Sequence, residues 1–349
     1  MNNKRVTIYD IAKELGISAS YISKALNDHP SISEKVRETV KKKALELNYK
    51  QNSHAANLRQ GSSKIIGVIV PHINQSFFSE AIAGIEEVCF EHNHGLIICQ
   101  SHEFFKQECK AIDTLIHQNV DCILISVSAE TQSASHLETI RKNKIQLIQF
   151  DRCIDTLDSY RVLNDNKEAS YNVVKNLINE GYKKIAFLGG PEHLTVFKNR
   201  KEGYLKAIKE AGLLIPYNYI VDDVLYSKKA SEAAEEILSL KEPPDAFFTV
   251  SDHQSLEVFK IAESMGIMIP QQLGIFGFAN EDFGEIIKPA LSSVDQRSKE
   301  LGKQAANLYF KKIRSKNEDP AADKRIIIES QIIIRESSIR TRVPQLVPT

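Results

Sequence analysis

The apolar positions of this chain change period once. Over residues 7–49 they fall three and four apart; from residue 65 onward they arrive as short continuous runs separated by helical stretches. In the first part, Ile8, Ile11, Ala12 and Leu15 give one apolar helix face. Thr7 can cap that helix, with Asp10 completing the box three residues later. Gly16 suits a tight turn and Ser18 a second N-cap. The second helix then turns Ile22, Ala25 and Leu26 inward and leaves Ala19, Ser20, Ser23, Lys24 and Asn27 on its outer edge. A third amphipathic helix, starting near Ser31 or Ser33, has Val36, Val40, Ala44 and Leu47 inside and Arg37, Lys41 and Lys42 outside. Two helices across a glycine turn, closed by a third, predict a helix-turn-helix unit whose second helix can lie in a DNA major groove.

Beyond "RQGSSK" (59–64), which has linker character, the pattern reads as strands. "IIGVIV" (65–70) is a β-branched run closed by Pro71, as expected of a strand buried on both faces. Similar runs begin at Gly95, Cys122, Ile145, Lys184, Ala246 and Leu273. Between them the spacing predicts helices over 79–92, 104–119, 166–180, 199–212, 231–240 and 254–266. Alternating strand and helix predicts an α/β body of parallel sheets with helices on both faces, and ligands beyond the carboxyl ends of the strands. The series is long for one sheet. A break near Arg161–Asn164 divides it into two lobes facing one another across a cleft.

Charge sharpens this division. The 349-residue chain is neutral overall, but residues 1–63 carry eleven lysines and arginines against six acidic residues, a net +5, which leaves −5 on the remainder. A basic head on an acidic body suggests that the head alone meets a polyanion. With 42% hydrophobic and 26% charged residues the chain is globular. No apolar run approaches the ~20 residues of a membrane helix, and the first residues lack a signal-peptide core, so a cytoplasmic chain is expected. The five cysteines form no C-x-x-C pair and read as buried free thiols. "EHNH" (91–94) reads as a solvated helix end rather than a metal site. Nucleotide-binding, hydrolase-elbow and zinc-protease motifs are missing, which argues against an enzyme. A free solute-binding protein would match the body, but it would need an export signal and no basic head.

The stretch "VTIYDIAKELGISASYISKALND" resembles the DNA-binding head of the LacI/GalR family of bacterial transcription regulators, and "SISEKVRETVKKKALELNYKQNSHAANLRQGSS" is similar to its third helix and hinge. The resemblance continues through "IIGVIVPHINQSFFSEAIAGIEEV", "GGPEHLTVFKNRKEGY", "PPDAFFTVSD", "IPQQLGIFGFAN" and "PALSSVDQ". It implies a head at 1–50, a hinge helix and linker at 51–63, and a two-lobed periplasmic-binding-protein-like body at 64–340. Further crossovers are expected near 291 and 322, with a tail at 341–349.

The same resemblance implies a homodimeric repressor on a palindromic operator, controlled by a small molecule of the sugar class. It implies no cofactor, metal, catalytic residue or membrane partner. Ala19, Ser20 and Lys24 match base-reading positions; Thr7, Tyr9, Tyr21, Ser23 and Asn27 match positions near phosphates. Asn52, Ala55 and Leu58 match the hinge helix, whose leucine wedges into the minor groove. Gln51 stands where a proline usually precedes that helix. The implied effector residues are Asn74, Phe77, Phe78, Asp151, Arg200, Tyr226, Ser251, Asp252 and Gln296, together with position 279. Ser251 replaces a usual asparagine and Ala279 a usual acidic residue, so an altered pocket is expected.

Overall fold

The structure, a computed structural model, describes residues 6–49, 62–225, 227–313 and 324–340. The sites expected at Asn52, Ala55, Leu58 and Tyr226, the crossover near 322 and the tail lie outside the described residues. The chain divides into two compact units, 1–63 and 64–349.

In the head, α1 (Ile8–Leu15), α2 (Ala19–Leu26) and α3 (Glu34–Glu46) follow the predicted periodicity. The Thr7 amide and hydroxyl both donate to the Asp10 carboxylate at 2.7 Å, fixing the start of α1. Gly16 ends it at φ +66°, a conformation that costs glycine nothing. Ser18 then caps α2, its hydroxyl accepting from the Tyr21 amide at 3.2 Å. Ile11, Ile22, Ala25, Ile32, Val40 and Ala44 form the core, with Val36 and Leu47 at its edge. Each fully buried isoleucine contributes roughly 1.5–3 kcal/mol. A core this small is why the caps matter.

The body begins with β1 (Ile65–Val70) and runs through α4 (Ser76–Glu91), β2 (Gly95–Gln100), α5 (Phe105–His117), β3 (Cys122–Ile125), α6 (Leu137–Lys142), β4 (Gln146–Phe150) and β5 (Tyr160–Asn164). The second lobe adds α7 (Asn166–Asn179), β6 (Ile185–Leu188), α8 (Thr195–Glu210), β7 (Ile220–Val221), α9 (Ser227–Leu238), β8 (Ala246–Thr249), α10 (Asp252–Ser264), β9 (Gly274–Phe276) and α11 (Phe283–Ile286). The chain then crosses through β10 (Ser293–Asp295) to α12 (Ser298–Asn307), and later through β11 (Arg325–Ile328) to β12 (Gln331–Ile333).

Among the described residues, the first lobe's parallel sheet has the order β11-β5-β4-β3-β1-β2 and the second lobe's has β7-β6-β8-β9. The stretch at 160–164 is a strand in its own right, pairing with β4 and β11. Its sequence, YRVLN, mixes polar with apolar residues because its register places only Val162 and Asn164 deep in the lobe. β10 and β12 form an antiparallel pair at the crossing.

Two expectations are corrected here. Cys89, Cys122 and Cys153 are buried, but Cys99 and Cys109 are only partly so; all five are free. Cys99 lies on β2, an edge strand, which covers it on one side only. His94 is not solvated: it is buried beside Asp121, 3.6 Å away, and against the Tyr309 and Phe310 rings. The end of α4 is covered by the turn at Leu308–Ile313, which its local sequence could not announce. Among the described residues, no cluster of His, Cys, Asp and Glu is arranged to hold a metal, and no helix is long and apolar enough to cross a membrane.

Candidate functional site

The head presents one polar edge. Ser20, Lys24 and Asn27 are exposed on α2, with Ala19 and Ser23 half-buried beside them. Tyr9 is 72% exposed and Tyr21 is 38% exposed, unusual for residues so near a core, and Thr7 is half-buried at the start of α1. Asn27 closes α2 by donating from Nδ2 to the Ser23 carbonyl at 2.7 Å. The head's basic residues are not all free for a partner. Lys41 pairs with Asp28 and Lys43 with Glu46, each at 2.7 Å.

In the body, strand ends from both lobes surround a cavity of about 290 Å³. Of the predicted residues, Asn74, Phe77, Phe78, Asp151, Arg200, Ser251, Ala279 and Gln296 line it. Asp252 does not. Its carboxylate is turned inward, accepting from the Ser293 hydroxyl at 2.7 and 2.9 Å and from the Glu281 amide at 2.8 Å. A Cβ at Gly277 would stand 2.0 Å from Asp252 Oδ1, so glycine there makes room for it. Burial raises the Asp252 pKa to about 6, against the pull of those hydrogen bonds.

Asp151 comes from the end of β4 and Arg200 from α8 in the other lobe. Burial pushes the Asp151 carboxyl above the usual range, opposed by the charges of Arg152 and Arg200; the Ser126 hydroxyl donates to it at 3.2 Å. Arg200 donates to Asn166 Oδ1 at 2.8 Å and to the Val250 carbonyl at 2.7 Å, both uncharged acceptors. Burial pulls its pKa below the usual arginine range, with Asp151 opposing. Ser251 accepts from the His253 amide as the cap of α10, and Gln296 donates to Asn164 Oδ1.

Eleven lining residues were not anticipated, among them His72, Glu103, Arg152, Phe197, Phe278 and Glu281. Arg152 forms a buried two-pronged bond with Glu103 at 2.8 and 2.7 Å, and its guanidinium lies near the Phe78 and Phe197 rings. Burial alone would raise the Glu103 pKa; Arg152 more than offsets this and holds it below the usual range. The His72 pKa is lowered, burial being the largest cause. A signal for Glu103 and Arg152 existed, since both follow strands whose carboxyl ends the sheet topology brings to the cleft. His102, Glu103, Asp151, Ala279 and Asn280 all have positive φ, from +52° to +114°. Such conformations persist where the surroundings over-determine them, commonly at ligand sites.

The fold and these two surfaces define a class: a helix-turn-helix head joined to a two-lobed ligand-binding body. Residues 7–52 match the bacterial regulatory proteins of the lacI family, and residues 174–338 match the periplasmic binding protein-like domain. The chain is 28% identical to the HTH-type transcriptional repressor PurR of Vibrio atlanticus over 96% of its length and 99% of that protein's. It is 29% identical to catabolite control protein A of Priestia megaterium, covering 90% of this chain and 94% of the other. The structure of the lac repressor dimer bound to operator and the anti-inducer ONPF superposes with a TM-score of 0.81 at 18% identity, over 96% of this chain and all of that one, which supports the fold. With a head that matches the lacI family and a body that matches the periplasmic binding protein-like domain, the protein is a transcriptional regulator of the repressor type, with a DNA-binding head and an effector-binding body, and is regulatory rather than catalytic.

Proposed function

We propose that two copies of the chain bind a palindromic operator, each α2 entering a major groove, and that a sugar or sugar derivative in the cleft controls this binding. Ala19, Ser20 and Lys24 read base edges, while Thr7, Tyr9, Tyr21, Ser23 and Asn27 hold phosphates. Asn52, Ala55 and Leu58 supply the hinge, with Leu58 as the minor-groove wedge. The regulator works in the cytoplasm, beside the DNA it controls.

The observation that carries the effector class is the placement of Asp151 and Arg200 on one cavity. Two buried, oppositely charged groups from opposite lobes line one cavity. A polyhydroxylated molecule satisfies both, donating to the carboxylate and accepting from the guanidinium. A cavity of about 290 Å³ suits one small polar molecule. Phe77, Phe78 and Phe278 offer apolar surface for a sugar ring. Ala279 presents only a methyl group, so hydroxyl recognition shifts toward Asp151, Arg200 and Gln296.

A thermal-shift screen of the full chain with sugars and sugar phosphates tests the effector, since a ligand of the native state raises Tm by mass action. One chemical class should stabilise the wild type and not Arg200→Lys. Palindromes from the same genome, in gel shifts with and without that ligand, test the DNA half. No stabilising sugar and no sequence-specific shift would overturn the proposal.

A further inference from the structure

Each lobe of the body lends a carboxylate to the first residue of a cleft helix in the other lobe. In the first lobe, α4 begins at Ser76 after Gln75, which offers no side-chain cap. The Ser76 amide and hydroxyl instead donate to Glu281 Oε2 at 3.2 and 2.6 Å. Glu281 lies 205 residues away, in the second lobe. The second lobe has a counterpart that engages a hydroxyl alone. Its α8 begins at Thr195 after Leu194, again without a side-chain cap, and the Thr195 hydroxyl donates to Asp155 of the first lobe.

The next residues of each helix, Phe77 and Phe78 in one and Val196 and Phe197 in the other, line the cavity. A helix start carries unsatisfied amides and a partial positive charge, so a carboxylate there is stabilising. Glu281 is held in place by its own amide bond to Asp252, beside the strained residues Ala279 and Asn280. Asp155 is held by Arg161 at 2.5 Å. A third bridge, from His193 Nε2 to the Ala129 carbonyl at 2.8 Å, crosses beside them.

We propose that Glu281 and Asp155 are reciprocal interlobe clasps, each bonded to the first residue of a cleft helix in the opposite lobe, and that together they set how readily the cleft opens. This rests on reading the cleft as the effector site. Opening the lobes breaks both clasps at once. An occupant that favours closure therefore binds with an affinity scaled by the closed fraction the clasps maintain.

Hydrogen exchange on the full-length chain, without effector or DNA, tests this. Glu281→Ala should speed exchange at the start of α4 by about tenfold or more, the loss expected for bonds to a charged acceptor. Because closure is shared, it should also speed exchange at the start of α8. Asp155→Ala should do the converse. Should either alanine variant fail to fold, Glu281→Gln and Asp155→Asn, which keep an acceptor oxygen, should give smaller changes in the same two places. Faster exchange at the near helix alone, or at neither, overturns the clasp and leaves the effector reading standing. A failed sugar screen would overturn the effector reading without altering this exchange result.

Discussion

The guanidinium carbon of Arg200 lies 3.7 Å from the centre of the Phe278 ring. Both residues are buried, and both belong to the second lobe. The contact makes Arg200 a fixed feature of the cleft wall: the ring holds one face while Asn166 and Val250 take the edge. Lysine keeps the charge but offers neither the flat face nor the forked donors. Arg200→Lys should therefore lower stability by about 1–3 kcal/mol, the cost of leaving a buried acceptor unmet. Urea unfolding measures it; unchanged stability would show that the stack and the two bonds contribute nothing.

Glu103 and Arg152 form a buried ion pair with little access to water. Removing one partner strands the other. Glu103→Gln should cost about 3 kcal/mol or more, and Glu103→Gln combined with Arg152→Met should recover part of that loss. Additive costs in the double variant would rule out the coupling.

Asp252 gives a pH signature. Its native pKa, about 6, exceeds the roughly 3.9 of an unfolded aspartate. Between these values the native state binds more protons than the unfolded chain, so this group's contribution to stability falls as pH rises. The Tm of the wild type minus that of Asp252→Asn should decline from about pH 4 to about pH 6 and then level off. A flat difference would place the carboxyl in an ordinary environment.

Lys24 is exposed on α2, one turn beyond Ala19 and Ser20. Alanine can only meet a thymine methyl, and serine bonds to donors and acceptors alike, so this edge discriminates weakly without the lysine. Lys24→Ala should change base preference across operator variants as well as weaken binding. Uniform weakening would make it a phosphate contact.

The head was legible because its folding is local. Caps, turn and apolar face all lie within a few residues of one another, as at Thr7 with Asp10 and Ser18 with Tyr21. The strands were legible as apolar runs, although helix starts were displaced. The helix expected over 199–212 begins at Thr195, because Val196 and Phe197 face the cleft and carry no helical signal of their own. The strand ends hinted at Glu103 and Arg152 singly, but their pairing was not legible because no spacing links residues 49 apart.

The sequence by itself determined the elements, the charge contrast between head and body, and the family resemblance that pointed to Asp151 and Arg200. Those follow from short-range periodicity and from residue types. The tertiary structure decided which chemistry faces the cleft. It turned Asp252 into the wall and Glu281 across the gap to Ser76. It also returned β11 to the first sheet beside β5, after the chain had passed through the second lobe. These outcomes depend on residues up to 205 apart meeting at strand ends, and only the completed sheets bring those ends together.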